Sequence, residues 1–190
     1  MAKWDVQPTH LAGLQVIVPK VWRDERGAFC ELFHARDFRD LGLACNYVQE
    51  NQSVSKRGVL RGLHFQIQNP QGKLVRVVVG KVLDVAVDLR PESPTFGKSF
   101  CIELSAENGR MLFIPERFSH GFLSLAENTL LVYLCTDYYH PQSDSGIRWD
   151  DPDLGVDWAL PQFGIEQPFL SAKDAQLPSF QEFLSLGVYR

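Results

Sequence analysis

The chain has 190 residues, a length that predicts a single domain over 1–190 with a sizeable core. Hydrophobic residues make up 45% and aromatic residues 12%, which excludes a disordered chain. The formal net charge of -4 argues against a nucleic-acid-binding protein and against a polybasic membrane-surface protein.

The first ten residues, MAKWDVQPTH, lack the apolar run of a signal peptide, and no apolar stretch is long enough for a membrane helix. The four cysteines are scattered without a C-x-x-C pair, which indicates reduced thiols. These features predict a cytoplasmic protein with no membrane segment.

The first half of the chain is rich in predicted strands. It opens with LQVIVPKVW (14–22), continues with a short helical segment at 35–43 that ends near Gly42, and then reaches VRVVVGKVLDVAVDLR (75–90). In that run DVAVDLR alternates, so Asp84 and Asp88 share one strand face. We expect these carboxylates to pair with arginines.

Three more predicted strands follow, in SFCIEL, RMLFIP and TLLVYLC. Residues 141–176, rich in Pro, Asp and Trp, predict an ordered loop packed on the strands, and 178–187 predict a helix that begins near Ser179. Short strands at such spacing favour a β-sandwich or barrel over alternating strands and helices.

Two segments resemble in outline the motifs of cupin-type double-stranded β-helix proteins. The tripeptide HFQ (64–66) stands where the first motif has His-x-His, and Lys73 stands where it has Glu-x6-Gly. The second motif, Gly-x5-Pro-x-Gly-x2-His, is matched over 109–120 except for an arginine at the second glycine. A protonated lysine cannot ligate a cation, and two histidines alone bind one weakly. The pattern therefore predicts a cupin barrel in which positive charge replaces the metal.

Several of these residues have two interpretations when taken alone. His64 lies close in sequence to the cationic Arg61, which favours a functional histidine over a core one. For His120 the pocket and a hydrogen bond to the barrel wall are both open. Tyr133 by itself indicates a core residue in mid-strand, and DERGAF (24–29) by itself a solvated turn.

Seven stretches together resemble the dTDP-4-dehydrorhamnose 3,5-epimerase family, in order and with family-like spacing. They are DERGAF (24–29), VQENQSVSKRGVLRGLHFQ (48–66), QGKLVRVVVGKVLDVAVDLR (71–90), SPTFGK (93–98), LSAENGRMLFIPERFSHGFL (104–123), VYLCTDYYHPQSDSGIRWDDPDL (132–154) and LSAKDAQLPSF (170–180). Seven concatenated motifs are far more specific than any single one.

The resemblance implies a mainly β fold, a cupin double-stranded β-helix (jelly-roll barrel) with a few short peripheral helices, without cofactor or metal and as a homodimer. The implied reaction is epimerisation of dTDP-4-dehydro-6-deoxy-D-glucose at C3 and C5 to dTDP-4-dehydro-L-rhamnose, a step of dTDP-L-rhamnose synthesis. By the same resemblance His64 is the base, Asp174 orients it and Tyr133 is the acid. The other implied substrate-binding residues are Arg26, Phe29, Glu31, Gln49, Asn51, Arg61, Lys73, His120, Tyr139, Asp144 and Lys173.

Tyr139 is implied to stack on the thymine ring, and Asp144 stands where the family often has the longer glutamate.

The implied chemistry suits these residue types. Imidazole, with an ordinary pKa of about 6.5, can take the proton next to a ketone at neutral pH. A cation such as Lys73 can stabilise the enolate oxygen, and Arg61 can hold the diphosphate. Arg61 and His64 have opposite parity on a strand, so we expect a bulge or kink around Gly62 that turns both toward the pocket.

Three rival functions stay open at this point. One is a mono-epimerase that acts only at C3 or only at C5, and another is a metal-dependent cupin oxygenase or isomerase. The third is a non-catalytic sugar-nucleotide-binding cupin. Retention of His64, Tyr133 and Asp174 together argues against the last, since binding alone needs neither acid nor base.

Overall fold

The computed structural model describes residues 3–187, and there the strands form two antiparallel sheets and one separate hairpin. The first sheet has six strands, in spatial order β1 (Trp4–Pro8), β2 (Gln15–Pro19), β10 (Met111–Ile114), β7 (Lys73–Val79), β12 (Thr129–Cys135) and β5 (Gln49–Ser55). The second has five, in the order β13 (Asp144–Gly146), β6 (Leu60–Gln66), β11 (Phe118–Ser124), β8 (Lys81–Asp88) and β9 (Ser99–Ser105). The hairpin pairs β3 (Val21–Asp24) with β4 (Gly27–Cys30), and the two α-helices are α1 (Ala35–Asp40) and α2 (Phe180–Ser185). The predicted mainly β barrel with few short helices is confirmed.

Three apolar clusters organise the barrel. Side chains from both sheets fill its interior, among them Val75 and Leu112 from one sheet and Phe118 from the other. The C-terminal segment with Trp158 and α2 covers the outer face of the five-stranded sheet. A third cluster, in which Phe38 of α1 is fully buried, packs on the six-stranded sheet. The two sheets thus form the rigid walls between which a site can lie.

The long predicted run at 75–90 becomes two strands joined at Gly80. Gly80 has φ +78°, and a Cβ there would lie 2.6 Å from the hydroxyl oxygen of Thr129, so only glycine fits this turn. The alternation in DVAVDLR is confirmed, because Val85 and Val87 face the outer cluster while Ala86 faces the barrel interior.

The two aspartates of β8 have different partners. Asp88 is fully buried and pairs with Arg90, as expected. The expectation that Asp84 also pairs with an arginine is wrong. Asp84 accepts from Nε2 of His120 at 3.0 Å, because the neighbouring strand β11 places that histidine on the same interior face.

Both predicted helices are confirmed with tighter bounds, and the predicted loop is partly wrong. Helix α2 begins after Ser179, whose hydroxyl and backbone form a capping box with Glu182. The segment 141–176 contains β13 and two 3-10 turns, at Leu160–Phe163 and Asp174–Gln176. Its strand carries no strand-like sequence and exists because it pairs with the edge of β6.

The predicted kink at Gly62 is confirmed. Gly62 has φ +135°, and the register of the pairing between β6 and β11 shifts between His120 and Phe122. A Cβ on Gly62 would lie 2.5 Å from the Cα of Gly121, so the two backbones meet where only glycine is tolerated. The kink lets Arg61 and His64 line the same cavity.

Among the residues that the structure describes, no helix has both the length and the apolar character that a membrane crossing requires.

Candidate active site

A cavity of about 420 Å³ lies between the two sheets. It is lined by Asn51, Gln52, Ser53, Arg61, His64, Lys73, His120, Gly121, Phe122, Tyr133, Ser171, Lys173 and Asp174. A second cavity of about 250 Å³ shares five of these residues and adds Gln49, Phe65, Gln66, Gln71, Tyr139 and Asp144. Because they share a wall, we describe the two cavities as one cleft.

His64 and Asp174 form a hydrogen-bonded pair at the wall made by the five-stranded sheet. The distance from His64 Nε2 to Asp174 Oδ1 is 2.6 Å, and Asp174 is 4% exposed. Burial by itself would raise the pKa of Asp174, but hydrogen bonds from His64 and Ser171 and the attraction to the imidazole outweigh it, so that this pKa lies below its ordinary value. Asp174 is therefore ionised at neutral pH and can only accept. The proton of the neutral imidazole consequently sits on Nε2, and Nδ1 is the nitrogen free to act as a base.

Tyr133 lies across the cleft from this pair, on β12 of the six-stranded sheet. Burial raises the pKa of its phenol above the ordinary value, and the nearby Cys135 contributes in the same direction. The phenol therefore carries its proton at neutral pH and can donate it. Histidine and tyrosine thus stand on opposite walls of one cavity.

His120 lies next to His64 in the register of the two paired strands and also lines the cleft. Its Nε2 lies 3.0 Å from Asp84, and its ring centroid lies 6.5 Å from that of Tyr133. Both interpretations from the sequence thus apply at once, since the histidine bonds the barrel wall and borders the cavity. Asp84 as its partner was missed, although its place on the inner face of an alternating strand is a signal for such a role.

Lys73 is a buried lysine on β7 that lines both parts of the cleft. Burial lowers the pKa of its ammonium below the ordinary 10.5, and Cys135, Asp144 and Asp84 partly oppose that change. A buried ammonium is costly unless something anionic meets it. The cleft therefore contains a site for negative charge at Lys73.

Arg61 lines the larger of the two cavities in volume, that of about 420 Å³, and its Nε donates to the hydroxyl of Ser55 at 3.3 Å. Ser53, two residues earlier on β5, also lines the cleft, and its hydroxyl has no hydrogen-bond partner within the described residues. Ser53 was missed by the sequence analysis, and its parity with Asn51 on a strand could have indicated it.

Tyr139 stands at the rim of the cleft with half of its surface exposed. Its hydroxyl donates to Asp144 at 2.8 Å, and Asp144 is ion-paired with Lys173. Its backbone N–H donates to the side-chain oxygen of Gln49 at 2.8 Å, and the amide of Gln49 donates to Asn51 at 3.1 Å. These five predicted residues form one connected polar rim.

Three predicted site residues lie outside the cleft of this chain. Arg26 and Phe29 belong to the β3–β4 hairpin, where Arg26 pairs with Asp24 and Phe29 is 68% exposed. Glu31 follows the hairpin and pairs with Lys3 at 2.9 Å. The hairpin pairs with neither sheet, so this chain by itself brings none of the three to the cavity.

Comparison with known proteins identifies the family. The family model described as dTDP-4-dehydrorhamnose 3,5-epimerase matches residues 8–182. A protein of that name from Methanothermobacter thermautotrophicus is 50% identical over 182 residues, which is 96% of this chain and 97% of the relative.

Solved structures agree with this assignment. An epimerase from Legionella pneumophila, crystallised with dTDP-4-keto-L-rhamnose, superposes with a TM-score of 0.92 at 45% identity, over 98% of each chain. A 3'-monoepimerase from Streptomyces bikiniensis, in complex with dTDP-quinovose, reaches 0.87 at 36% identity, over 96% of this chain and 91% of that one. Sequence, fold and cleft together lead to one conclusion: the chain belongs to the dTDP-4-dehydrorhamnose 3,5-epimerase family.

Proposed function

We propose that the protein epimerises dTDP-4-dehydro-6-deoxy-D-glucose at C3 and C5, giving dTDP-4-dehydro-L-rhamnose in dTDP-L-rhamnose biosynthesis. The observation that carries the proposal is the placement of His64 and Tyr133 on opposite walls of one cleft, with the histidine hydrogen-bonded to the buried Asp174. Inversion at a carbon needs a proton acceptor on one face of the sugar and a donor on the other.

The proposed reaction begins with proton removal next to the C4 ketone. Nδ1 of His64 takes the proton, and the electron pair of the broken C–H bond moves into the enolate, leaving negative charge on the C4 oxygen. Asp174 stabilises the imidazolium that forms. A protonated Lys73 stabilises the enolate oxygen, because a fixed cation in a desolvated site acts strongly on developing charge.

Tyr133 then gives its proton to the same carbon from the opposite face, and the ketone re-forms. The sum of the two transfers is redox-neutral, since one proton leaves carbon and another arrives. The imidazolium of His64 then loses its proton to solvent and the phenolate of Tyr133 regains one, which resets both groups, and repetition at the second carbon next to the ketone gives double epimerisation. Arg61 supplies a planar pair of donors for the diphosphate, and the rim around Tyr139 receives the thymine ring of the nucleotide.

The proposal includes a homodimer in the cytoplasm. The β3–β4 hairpin exposes two aromatic side chains, Trp22 at 41% and Phe29 at 68%, which a second copy of the chain would cover. The same contact would give the predicted binding residues Arg26 and Phe29 a role that they lack in one chain. Sedimentation equilibrium is expected to give twice the chain mass, and a monomer at all concentrations would contradict the dimer.

Solvent exchange tests the proposed function. The protein is incubated with dTDP-4-dehydro-6-deoxyglucose in D2O with EDTA, and deuterium at C3 and C5 is followed by NMR. We expect label at both carbons, and none with His64→Ala, which should still bind dTDP. An active His64→Ala variant would remove His64 as the base.

Other outcomes lead to the rival functions. Label at one carbon only would establish a mono-epimerase, a candidate supported by the similarity to the Streptomyces bikiniensis enzyme. Exchange that appears only after a divalent metal is added would favour a metal-dependent cupin. Binding of dTDP without any exchange would favour a sugar-nucleotide-binding protein.

A further inference from the structure

Gln66 is a buried residue of the cupin-like motif that the proposed reaction does not use. It ends β6 and is 4% exposed. Its amide donates to the carbonyl of Asn69 at 2.7 Å and to that of Tyr138 at 3.2 Å, while its side-chain oxygen accepts from the N–H of His140 at 2.7 Å. One side chain therefore ties the loop after β6 to the loop after β12.

The second of these loops carries Tyr139. Gln66 binds the carbonyl immediately before this tyrosine and the N–H immediately after it. The N–H of Tyr139 is held by Gln49, and its hydroxyl by Asp144. With both flanking peptide groups fixed by one buried side chain, the half-exposed ring has little freedom to leave the rim.

We propose that Gln66 is a positioning residue that holds Tyr139 ready to stack on the base of the nucleotide. The inference rests on the proposed function, because that function supplies the thymine nucleotide. At this position the cupin motif has a metal-ligating histidine, and here the side chain is engaged by two loops instead. Fixing a binding side chain before the ligand arrives lowers the ordering cost of binding, so the effect falls on affinity more than on chemistry.

The geometry requires a glutamine. The side chain must donate to two carbonyls and accept from one N–H, which a carboxamide does. Gln66→Glu keeps the acceptor for His140 but sets a carboxylate oxygen against two carbonyl oxygens in a buried place. Gln66→Met keeps the length of the side chain and removes all three hydrogen bonds.

Calorimetric binding of dTDP tests the proposal, with steady-state kinetics beside it. We expect Gln66→Met and Gln66→Glu to weaken dTDP binding and raise KM about tenfold, with kcat within about twofold of wild type. In a Tyr139→Ala background, Gln66→Met should weaken dTDP binding by less than about twofold further, because the residue through which it acts is gone.

Asn108 provides a matched control. It also makes three hydrogen bonds to backbone groups, accepting from Ser105 and Arg110 and donating to Glu103, but it lines neither part of the cleft. Asn108→Asp, like Gln66→Glu, replaces an amide that bonds backbone groups with a carboxylate, and it should leave dTDP affinity and KM unchanged.

Two results would overturn the proposal. One is wild-type affinity for dTDP in Gln66→Met, and the other is a loss of affinity that is the same with and without Tyr139. Should Gln66→Glu fail to fold, Gln66→Met decides, since an apolar side chain of the same length brings no repulsion. If wild-type protein binds dTDP but exchanges no deuterium, the proposed reaction fails while the binding comparison still decides the role of Gln66.

Discussion

Asp174→Asn tests the pair at the centre of the proposed reaction. Asp174 is 4% exposed and lies 2.6 Å from Nε2 of His64, and asparagine matches it in size. The substitution removes the charge that stabilises the imidazolium. It also removes the acceptor-only partner that keeps the proton on Nε2, so the basic Nδ1 is no longer assured.

The size of the effect follows from the hydrogen bond that is lost. A hydrogen bond to a charged group contributes about 1.5–3 kcal/mol, and each 1.36 kcal/mol or so of barrier changes a rate about tenfold. The imidazolium exists only after proton transfer begins, so the loss falls on kcat, which should decrease by about 10- to 150-fold. KM should change little, because Asp174 contacts the histidine and the adjoining backbone.

Stability should respond to pH in a defined direction. The pKa of Asp174 in the folded protein lies below its ordinary value of 3.8. The ionised carboxylate therefore contributes its full stabilisation above pH 3.8, and the contribution is lost as the pH falls through the folded-state pKa. The difference in unfolding free energy between wild type and Asp174→Asn should be constant near neutral pH and shrink in acid.

The assay is the rate of deuterium incorporation at C3 and C5, measured with saturating substrate. Asp150→Asn is the matched control, because Asp150 pairs with Arg148 on the surface and lines neither part of the cleft. An exchange rate for Asp174→Asn within about twofold of wild type would refute the assignment of Asp174 as the partner of the base.

Three further substitutions address the other roles. Lys73→Met should reduce kcat at least about a hundredfold, yet raise the free energy of unfolding at pH 7 by about 1–2 kcal/mol, because it removes a buried ammonium. The folded-state pKa of Lys73 lies below 10.5. The gain in unfolding free energy, measured by urea titration, should therefore be complete below that folded-state pKa and disappear as the pH rises to 10.5. An equal gain at all pH values would exclude the buried ammonium as its cause. Tyr133→Phe should still catalyse deuterium exchange into the substrate but give almost no inverted product. Formation of inverted product at the wild-type rate, measured by NMR, would exclude the phenol as the proton donor. Arg61→Ala should raise KM about 10- to 150-fold with kcat nearly unchanged, and an unchanged KM would exclude contact with the diphosphate.

The sequence by itself determined the fold class, the helix ends and the cleft residues that its motifs contain. Alternation in DVAVDLR is a local pattern that a strand must obey wherever it lies. The start of α2 near Ser179 is likewise predicted by a local signal. Opposite parity of Arg61 and His64 was enough to predict the kink, because two side chains of one strand reach one cavity only if the strand departs from regular pleating.

The tertiary structure alone decided which residues meet across the barrel. Asp84 faces His120 and not an arginine because β8 and β11 are neighbours, and no local pattern states which strands pair. The same holds for β13, a strand only because the edge of β6 accepts it, and for Gln66, two of whose hydrogen bonds reach a loop more than seventy residues further on. The hairpin that carries Arg26 pairs with neither sheet. Its own sequence could not state this, because the contacts of a hairpin depend on the surfaces that surround it in the folded protein.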